Sequence, residues 1–416
     1  MSEGAGAIRG RQAAVGFILV SVWLDVLSLG VIIPVFAPLI QQFEGGDAAS
    51  AARWIGIFST VWALSQFVGA PILGALSDRF GRRPVLLISL FGLAFDYLIM
   101  AFAPTLWWLF VARGVSGFTA AGMAVASAYI ADVTPPEKRA QTFGWIGAAW
   151  GVGFIVGPAI GGYLGHISLR APFLGAAALT LIGAIYGLFV LPESLKRENR
   201  SAFAWSKANP VGSLGFLAAH RELLPLSVVN MLLQTAHYVL PTIFVLYASN
   251  RYGWTIDMTG YALALTGICN IVVQGLLVKP VVAWIGEWGA VFAGLVFGGL
   301  GFAIYGMAPT GWAFLIGTPV FGLIGLFGPG FQGLITRRVG ADEQGRLQGA
   351  NASLAGLAGV VAPTMFGFTY AWFVLPGNPY VPGSAFLLAA GLHAIAALIA
   401  LTVMARAPKT AGAPTS

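Results

Sequence analysis

The chain alternates long apolar runs with short polar connections. Twelve runs are read, over 13–40, 54–76, 85–103, 106–132, 142–165, 171–191, 222–249, 259–283, 289–308, 310–336, 346–374 and 382–405. As helices rising 1.5 Å per residue, they match the roughly 30 Å hydrocarbon core of a bilayer. Glycines and prolines inside them are tolerated, because neighbouring helices re-satisfy the freed backbone groups. Only one polar segment is long, Pro192 to Arg221, with Lys196, Arg197, Glu198, Arg200, Lys207 and Arg221. The pattern predicts an all-α membrane protein of 12 transmembrane helices. Its expected divisions are a six-helix bundle over 1–191, a cytoplasmic linker over 192–221 and a second six-helix bundle over 222–416.

Composition sharpens this picture. Apolar residues make up 58% of the 416 residues and charged ones 9%, with a mean hydropathy of +0.83, which excludes an ordinary soluble domain. The net charge of +7 does not imply nucleic acid, because the bases sit at helix ends. Alternate loops, starting with the N-terminus, hold Arg9, Arg11, Arg79, Arg82, Arg83, Lys138, Arg139, the linker cluster, Lys279, Arg337, Arg338, Arg346, Arg406 and Lys409. The opposite loops hold only Arg53, Arg170 and Arg251. By the positive-inside rule both termini and the linker are expected in the cytoplasm, in a multi-pass protein of the inner (cytoplasmic) membrane. The first run is too long for a signal-peptide core and is kept as a helix. The lone Cys269 excludes an internal disulfide.

The two halves read as repeats. A shift of 205 positions carries Gly81 onto Gly286, Gly144 onto Gly349 and Pro158 onto Pro363, and lays Ile130–Gly144 on Ile335–Gly349 without a gap. Parallel six-span repeats are a transporter plan, with substrate held between them near the midplane. The 56 glycines point to helices in close approach.

Three ionisable residues lie deep inside spans: Asp25, Asp96 and Arg113. Each costs about 2.5–3.5 kcal/mol at that depth on insertion scales, so each needs a partner or a water-filled cavity. Asp25 lies about 18 Å and Asp96 about 16 Å along their helices from the basic side. Asp96 and Arg113 fall at one level on adjacent antiparallel helices. A static ion pair accounts for those two but leaves Asp25 as a second acid sharing one base. A carboxyl there can instead load and release protons as the cavity opens to each side. Proton coupling is therefore expected at Asp25, with Asp96 and Arg113 setting its affinity.

Between the second and third spans stands a dense charged hinge, Gly74 to Pro84, with Asp78, Arg79, Gly81, Arg82 and Arg83. A plain orientation signal would need only the arginines. Asp78 suggests a clasp, with Asp132 a partner for Arg79 or Arg82, that shuts the cytoplasmic side in one state and opens in the other. The equivalent turn of the second repeat, Val282 to Trp288, keeps only Gly286 and Glu287, so the clasp is expected to be one-sided.

These residues carry a resemblance. Gly74-x-x-x-Asp78-Arg79-x-Gly81-Arg82-Arg83 resembles the signature loop of the major facilitator superfamily. Gly153-x-x-x-Gly157-Pro158-x-x-Gly161-Gly162 resembles the antiporter motif of its drug:proton exchangers. Leu24-Asp25 with Gly30 and Pro34, then Phe95-Asp96-Tyr97-Leu98, Arg113-Gly114 and Phe143-Gly144-Trp145, resemble the tetracycline-efflux branch. The resemblance implies the major facilitator fold, in two pseudo-symmetric bundles, and drug export against protons. Histidine and aspartate positions implicated in coupling in spans 8 and 9 of that branch are Asn270 and Gly298 here. No carboxylate or base lies deep in the second half, so coupling is expected in the first.

The second half offers uncharged polar groups instead: Asn230, Gln234, His237, Asn270, Gln274, Gln332 and Asn351, beside Tyr238, Phe244 and Phe331. Most such groups hold helices together. A subset, taken as Gln234, His237, Asn270, Gln274 and Gln332, is expected to contact substrate, a small amphipathic organic molecule. His237 and His393 are expected to pack neutral. No metal, nucleotide or hydrolytic motif occurs: Gly325, Gly328 and Gly330 lie in an apolar run without a following lysine. No cofactor, metal or nucleic acid is expected, and no enzyme activity. The expected protein is a monomeric transporter in the lipid bilayer, exporting a tetracycline-like drug against protons by alternating access. The alternative is a carrier of an endogenous metabolite or peptide fragment by symport or uniport.

Overall fold

The computed structural model describes residues 2–203, 205, 209–210, 212, 214–340 and 343–406. Lys207 and Lys409 lie outside the described residues, as do the side chains of Arg9, Arg11, Arg139, Phe143 and Arg406.

Among the described residues, twelve helical rods account for the twelve apolar runs. The first half contains α1 (Ser2–Phe43), α2 (Ala48–Phe80), α3 (Arg82–Phe102), α4 (Leu106–Ala120 continued by Gly122–Val133), α5 (Pro136–Ile167) and α6 (Ala171–Val190). After the linker, with its short helix Leu214–Ala219, comes α7 (Leu224–His237 continued by Val239–Tyr252). Next, Ile256–Val272, the π turn Val273–Leu277 and Val278–Met307 run on as one length. Gly286, at φ 72° and ψ 176°, breaks that length into α8 (256–285) and α9 (287–307). The second half ends with α10 (Gly311–Gly322, Leu323–Leu326 and Phe327–Thr336), α11 (Gln344–Val374) and α12 (Ser384–Arg406). Several rods, α1, α2, α5 and α11 among them, overshoot the expected spans because polar residues extend helices past the apolar core, as Asp47 does in capping α2 through Ala49 N–H at 2.9 Å.

The two six-helix bundles pack through two seams. Along one, α2 lies on α11. A Cβ on Gly56 would meet the Pro363 carbonyl at 2.8 Å and the Thr364 Cα at 3.2 Å, so the backbones touch. Thr60 Oγ1 lies 2.8 Å from the Val360 carbonyl and 2.7 Å from Thr364 Oγ1. Along the other seam, α5 lies between α1 and α8. The Gly153-x-x-x-Gly157-x-x-x-Gly161 row faces α1, where Gly157 abuts Gly30 and Gly161 abuts the Val31 carbonyl. Pro158 and Gly162 face α8 at Gly260 and at Ile256–Asp257. Small residues four apart leave one bare stripe on a helix, and α5 carries two.

Candidate functional site

Asp25, on α1, is half-buried and lines a cavity within the first bundle; its Oδ1 has no hydrogen bond. Gln66 from α2, Ser89 and Tyr97 from α3, and Arg113 and Ser116 from α4 share that cavity. Its described lining comes from α1 to α4 alone. Apolar walls with a few convergent polar groups suit an amphipathic ligand.

Asp96 does not line the cavity. It is fully buried, and neither carboxylate oxygen makes a well-formed hydrogen bond, although Arg113 and Ser116 of α4 are its near polar neighbours. The close pairing with Arg113 that a static ion pair would need is not made, since the two charges stay beyond the 4.0 Å limit of an ion pair. The Arg113 guanidinium lies instead 4.7 Å from the centre of the Phe36 ring, a cation–π contact that holds a desolvated cation without fixing it to one acid. Tyr97, quoted in the sequence only as part of a motif, lies within electrostatic reach of Asp25, Asp96 and Arg113. Its position one residue past Asp96 was the only signal for it.

The charged hinge lies at the other end of α3. Gly81, at φ 106°, ends α2 and starts α3. A side chain there would be strained and would also run into the Glu193 carboxylate. Glu193 accepts hydrogen bonds from the backbone N–H groups of Arg82 (2.9 Å) and Arg83 (3.3 Å), so an acid caps the positive end of α3. Arg82 bridges Asp78 at 2.6 Å and Asp132 of α4 at 3.3 Å. Arg83 donates to the Leu188 carbonyl at 2.7 Å, and Arg79 lies 5.0 Å from the Phe80 ring centre. The linker joins in: Arg200 stands 3.8 Å from Glu193, and Ser201 N–H donates to the Asp78 carbonyl at 3.1 Å. Gly74, with nothing within 4 Å of its missing Cβ, accepts from Ser77 Oγ at 2.7 Å. The sequence pointed to Asp132 but missed Glu193, which is far away along the chain and sits in a segment read as basic.

The second-half turn differs from the one-sided expectation. Glu287, directly after Gly286, is bridged by Arg337 of α10 at 2.7 Å. The second turn has not lost its charge; it has reversed it.

None of the five polar residues expected at the substrate lines the first-bundle cavity. Gln274, in the π turn of α8, reaches the Gly325 carbonyl of α10 at 3.4 Å. Gln332 accepts from Gln348 of α11 at 2.9 Å. His237 is exposed although it lies deep in the bundle, its ring 5.6 Å from that of Phe321. Gln234 is half-buried and Asn270 exposed. Opposite Gly298, the His393 ring of α12 fills the room a side chain would take, with Nε2 2.9 Å from the ideal Cβ position.

With this geometry in view, residues 18–363 match the profile described as Major Facilitator Superfamily. The chain belongs to that superfamily. Its similarity to known members spans almost the whole chain. The tetracycline resistance protein, class C, of Escherichia coli is 38% identical over 91% of this chain and 94% of its own length. The class E protein of Escherichia coli is 35% identical over 92% and 93%. Among solved structures, the nucleoside transporter NupG superposes with a TM-score of 0.77 at 13% identity, covering 94% of this chain and 99% of its own. That last likeness supports the superfamily fold alone.

Proposed function

We propose that this Major Facilitator Superfamily chain exports an amphipathic, tetracycline-like drug in exchange for protons, by alternating access. The observation that carries the reading is the placement of Asp25 and Arg113 on one cavity at mid-span, backed by Asp96. An acid open to a cavity and free of a fixed cation can take up a proton from one side and give it up to the other. Likeness to tetracycline resistance proteins over nine-tenths of the chain supplies the substrate class. The bundles 1–191 and 222–416 act as the two rocking halves around a cytoplasmic linker, 192–221.

The excess of basic residues at the end holding Gly81 and Gly286 supports a cytoplasmic position for that end, in the inner membrane of a bacterium. The hinge from Gly74 to Arg83, with Asp132, then forms a cytoplasmic gate. The glycine row of α5 transmits movement from α1 to α8. Gln234, His237, Asn270, Gln274 and Gln332 are assigned to the second wall of the substrate path, reached as the halves rock. The chain works as a monomer and performs no bond chemistry.

The test is drug uptake into everted vesicles energised by an inside-acid pH gradient. Uptake of tetracycline, collapsed by an uncoupler and lost in Asp25→Asn, is the expected result. Uptake that continues in Asp25→Asn would remove proton coupling from this residue. No uptake of any tetracycline, with uptake of a polar metabolite instead, would overturn the substrate class.

A further inference from the structure

The two turns that break the helix pairs α2–α3 and α8–α9 are structural copies. Gly81 and Gly286 stand 205 positions apart, and both adopt positive φ, at 106° and 72°. The same spacing carries Arg82 onto Glu287 and Asp132 onto Arg337. Both pairs form an ion bridge from the start of one helix to the basic end of the next, Arg82–Asp132 at 3.3 Å and Glu287–Arg337 at 2.7 Å. The polarity is opposite. Where the first half has a base then an acid, the second has an acid then a base.

This inversion has a geometric consequence. The α4 helix lines the first-bundle cavity down to Ala126, so Asp132 stands at the cytoplasmic mouth. By the repeat, Arg337 occupies the equivalent place on α10. The described halves meet near the other end, through Gly56 against Pro363 and Gln41 to Asn250 at 3.4 Å. No ion pair among the described residues joins the halves directly at the mouth. When two copies close about a pseudo-two-fold axis, equivalent positions near that axis face each other. Two copies of Asp132 would repel there; Asp132 and Arg337 attract. Arg337 is also the most exposed of the four side chains, at 76%, whereas Arg82 is held at 12% by both Asp78 and Asp132.

We propose that Glu287, Arg337 and Asp132 form a partner-exchange latch. With the mouth open, Arg337 rests on Glu287; as the mouth closes, it transfers to Asp132, which keeps Arg82 on its other side. Glu287 and Asp132 therefore compete for one arginine, and they pull the transporter toward opposite states. Arg337 is a positioning residue for the gate and has no contact with substrate. The inference rests on the alternating-access reading, not on which drug is carried.

The test measures the mouth directly. Spin labels at Val133→Cys and Thr336→Cys, with Cys269→Ser, leave the three latch residues and Arg82 in place, and pulsed electron spin resonance in nanodiscs reads the separation. Glu287→Gln is expected to enrich the short-distance population at least threefold. Asp132→Asn and Arg337→Gln are expected to deplete it at least threefold, and Arg337→Lys to restore it. If Glu287→Gln and Asp132→Asn shift the population in the same direction, or neither shifts it, each bridge is only a local brace and the latch is wrong. A labelled parent that shows one invariant distance under every gradient would instead overturn alternating access at this mouth. Glu287→Arg with Arg337→Glu keeps the local bridge but places two acids at the mouth, so it should deplete the short population while membrane levels stay normal. If that swapped protein closes as well as the parent, the latch is also wrong.

Discussion

The two halves share a fold and differ in chemistry. The first places Asp25, Asp96 and Arg113 at mid-span, while the second meets the same depth with neutral groups such as Asn270 and Gln274. At the mouth the contrast changes form, for there both halves are charged and only the sign is reversed. The comparison teaches that the positions at the mouth kept a charge pair in both copies, whereas the midplane positions kept their charges in one copy alone. A buried charge costs several kcal/mol, so a second copy that does not use it has reason to lose it.

The largest effect on this division is expected from Asp25→Asn. Proton-driven uptake in everted vesicles should fall on the order of 100-fold or more, while drug–drug exchange without net proton movement survives. Loss of exchange as well would make Asp25 a substrate ligand and not a coupling group. Next comes Gly157→Leu, which forces a side chain against Gly30. Overpacking of this kind costs about 1–3 kcal/mol, and a lower thermal midpoint in detergent, with transport per folded protein reduced as well, checks it. Asp96→Asn is expected to be milder than Asp25→Asn. Asp96 is off the cavity and makes no ion pair within 4.0 Å, so drug affinity should weaken while the proton-to-drug ratio holds. Glu193→Gln removes the carboxylate that caps α3, and a half-exposed charged cap is worth about 1 kcal/mol or less. Faster proteolysis of the linker at unchanged transport is the readout. The smallest effect belongs to the neutral half. His237→Gln should change the apparent KM by a few-fold, within the roughly 1–3 kcal/mol that one pocket contact is worth, and leave coupling intact. A lost pH-gradient dependence in His237→Gln would break the division of labour altogether.

Much of the fold could be read from the chain because spans in lipid must satisfy their own backbone, and apolar length announces them. The junction of α8 and α9 has no polar loop to mark it, yet the repeat placed it: the turn expected over Val282 to Trp288 is made by Gly286 at φ 72°. The glycine row of α5 was legible because its spacing of four is a helical face. That it carries a second bare face toward α8 became clear only once Gly260 was placed beside Pro158. Asp25 and Arg113 stood out by being charged where charge is costly. Their separation, with Arg113 turned onto Phe36 and not onto Asp96, depends on side-chain packing that sequence spacing does not record. Glu193 and the Glu287–Arg337 bridge were missed for one reason. Each joins residues far apart along the chain or in opposite polarity, and a search for matching motifs overlooks both.

The α5 helix has one more consequence. Its backbone meets that of α1 at Gly157 and Gly161 and that of α8 at Pro158 and Gly162, with no side chain between them at those points. Side chains make ridges, and interlocked ridges resist sliding. A helix with bare backbone at points on two faces is close enough for strong dispersion contact there, with few teeth that must disengage. Such a bearing keeps the halves together throughout the cycle while adding little to the barrier of each stroke. Bulk added to either face should therefore slow turnover before it loosens the fold.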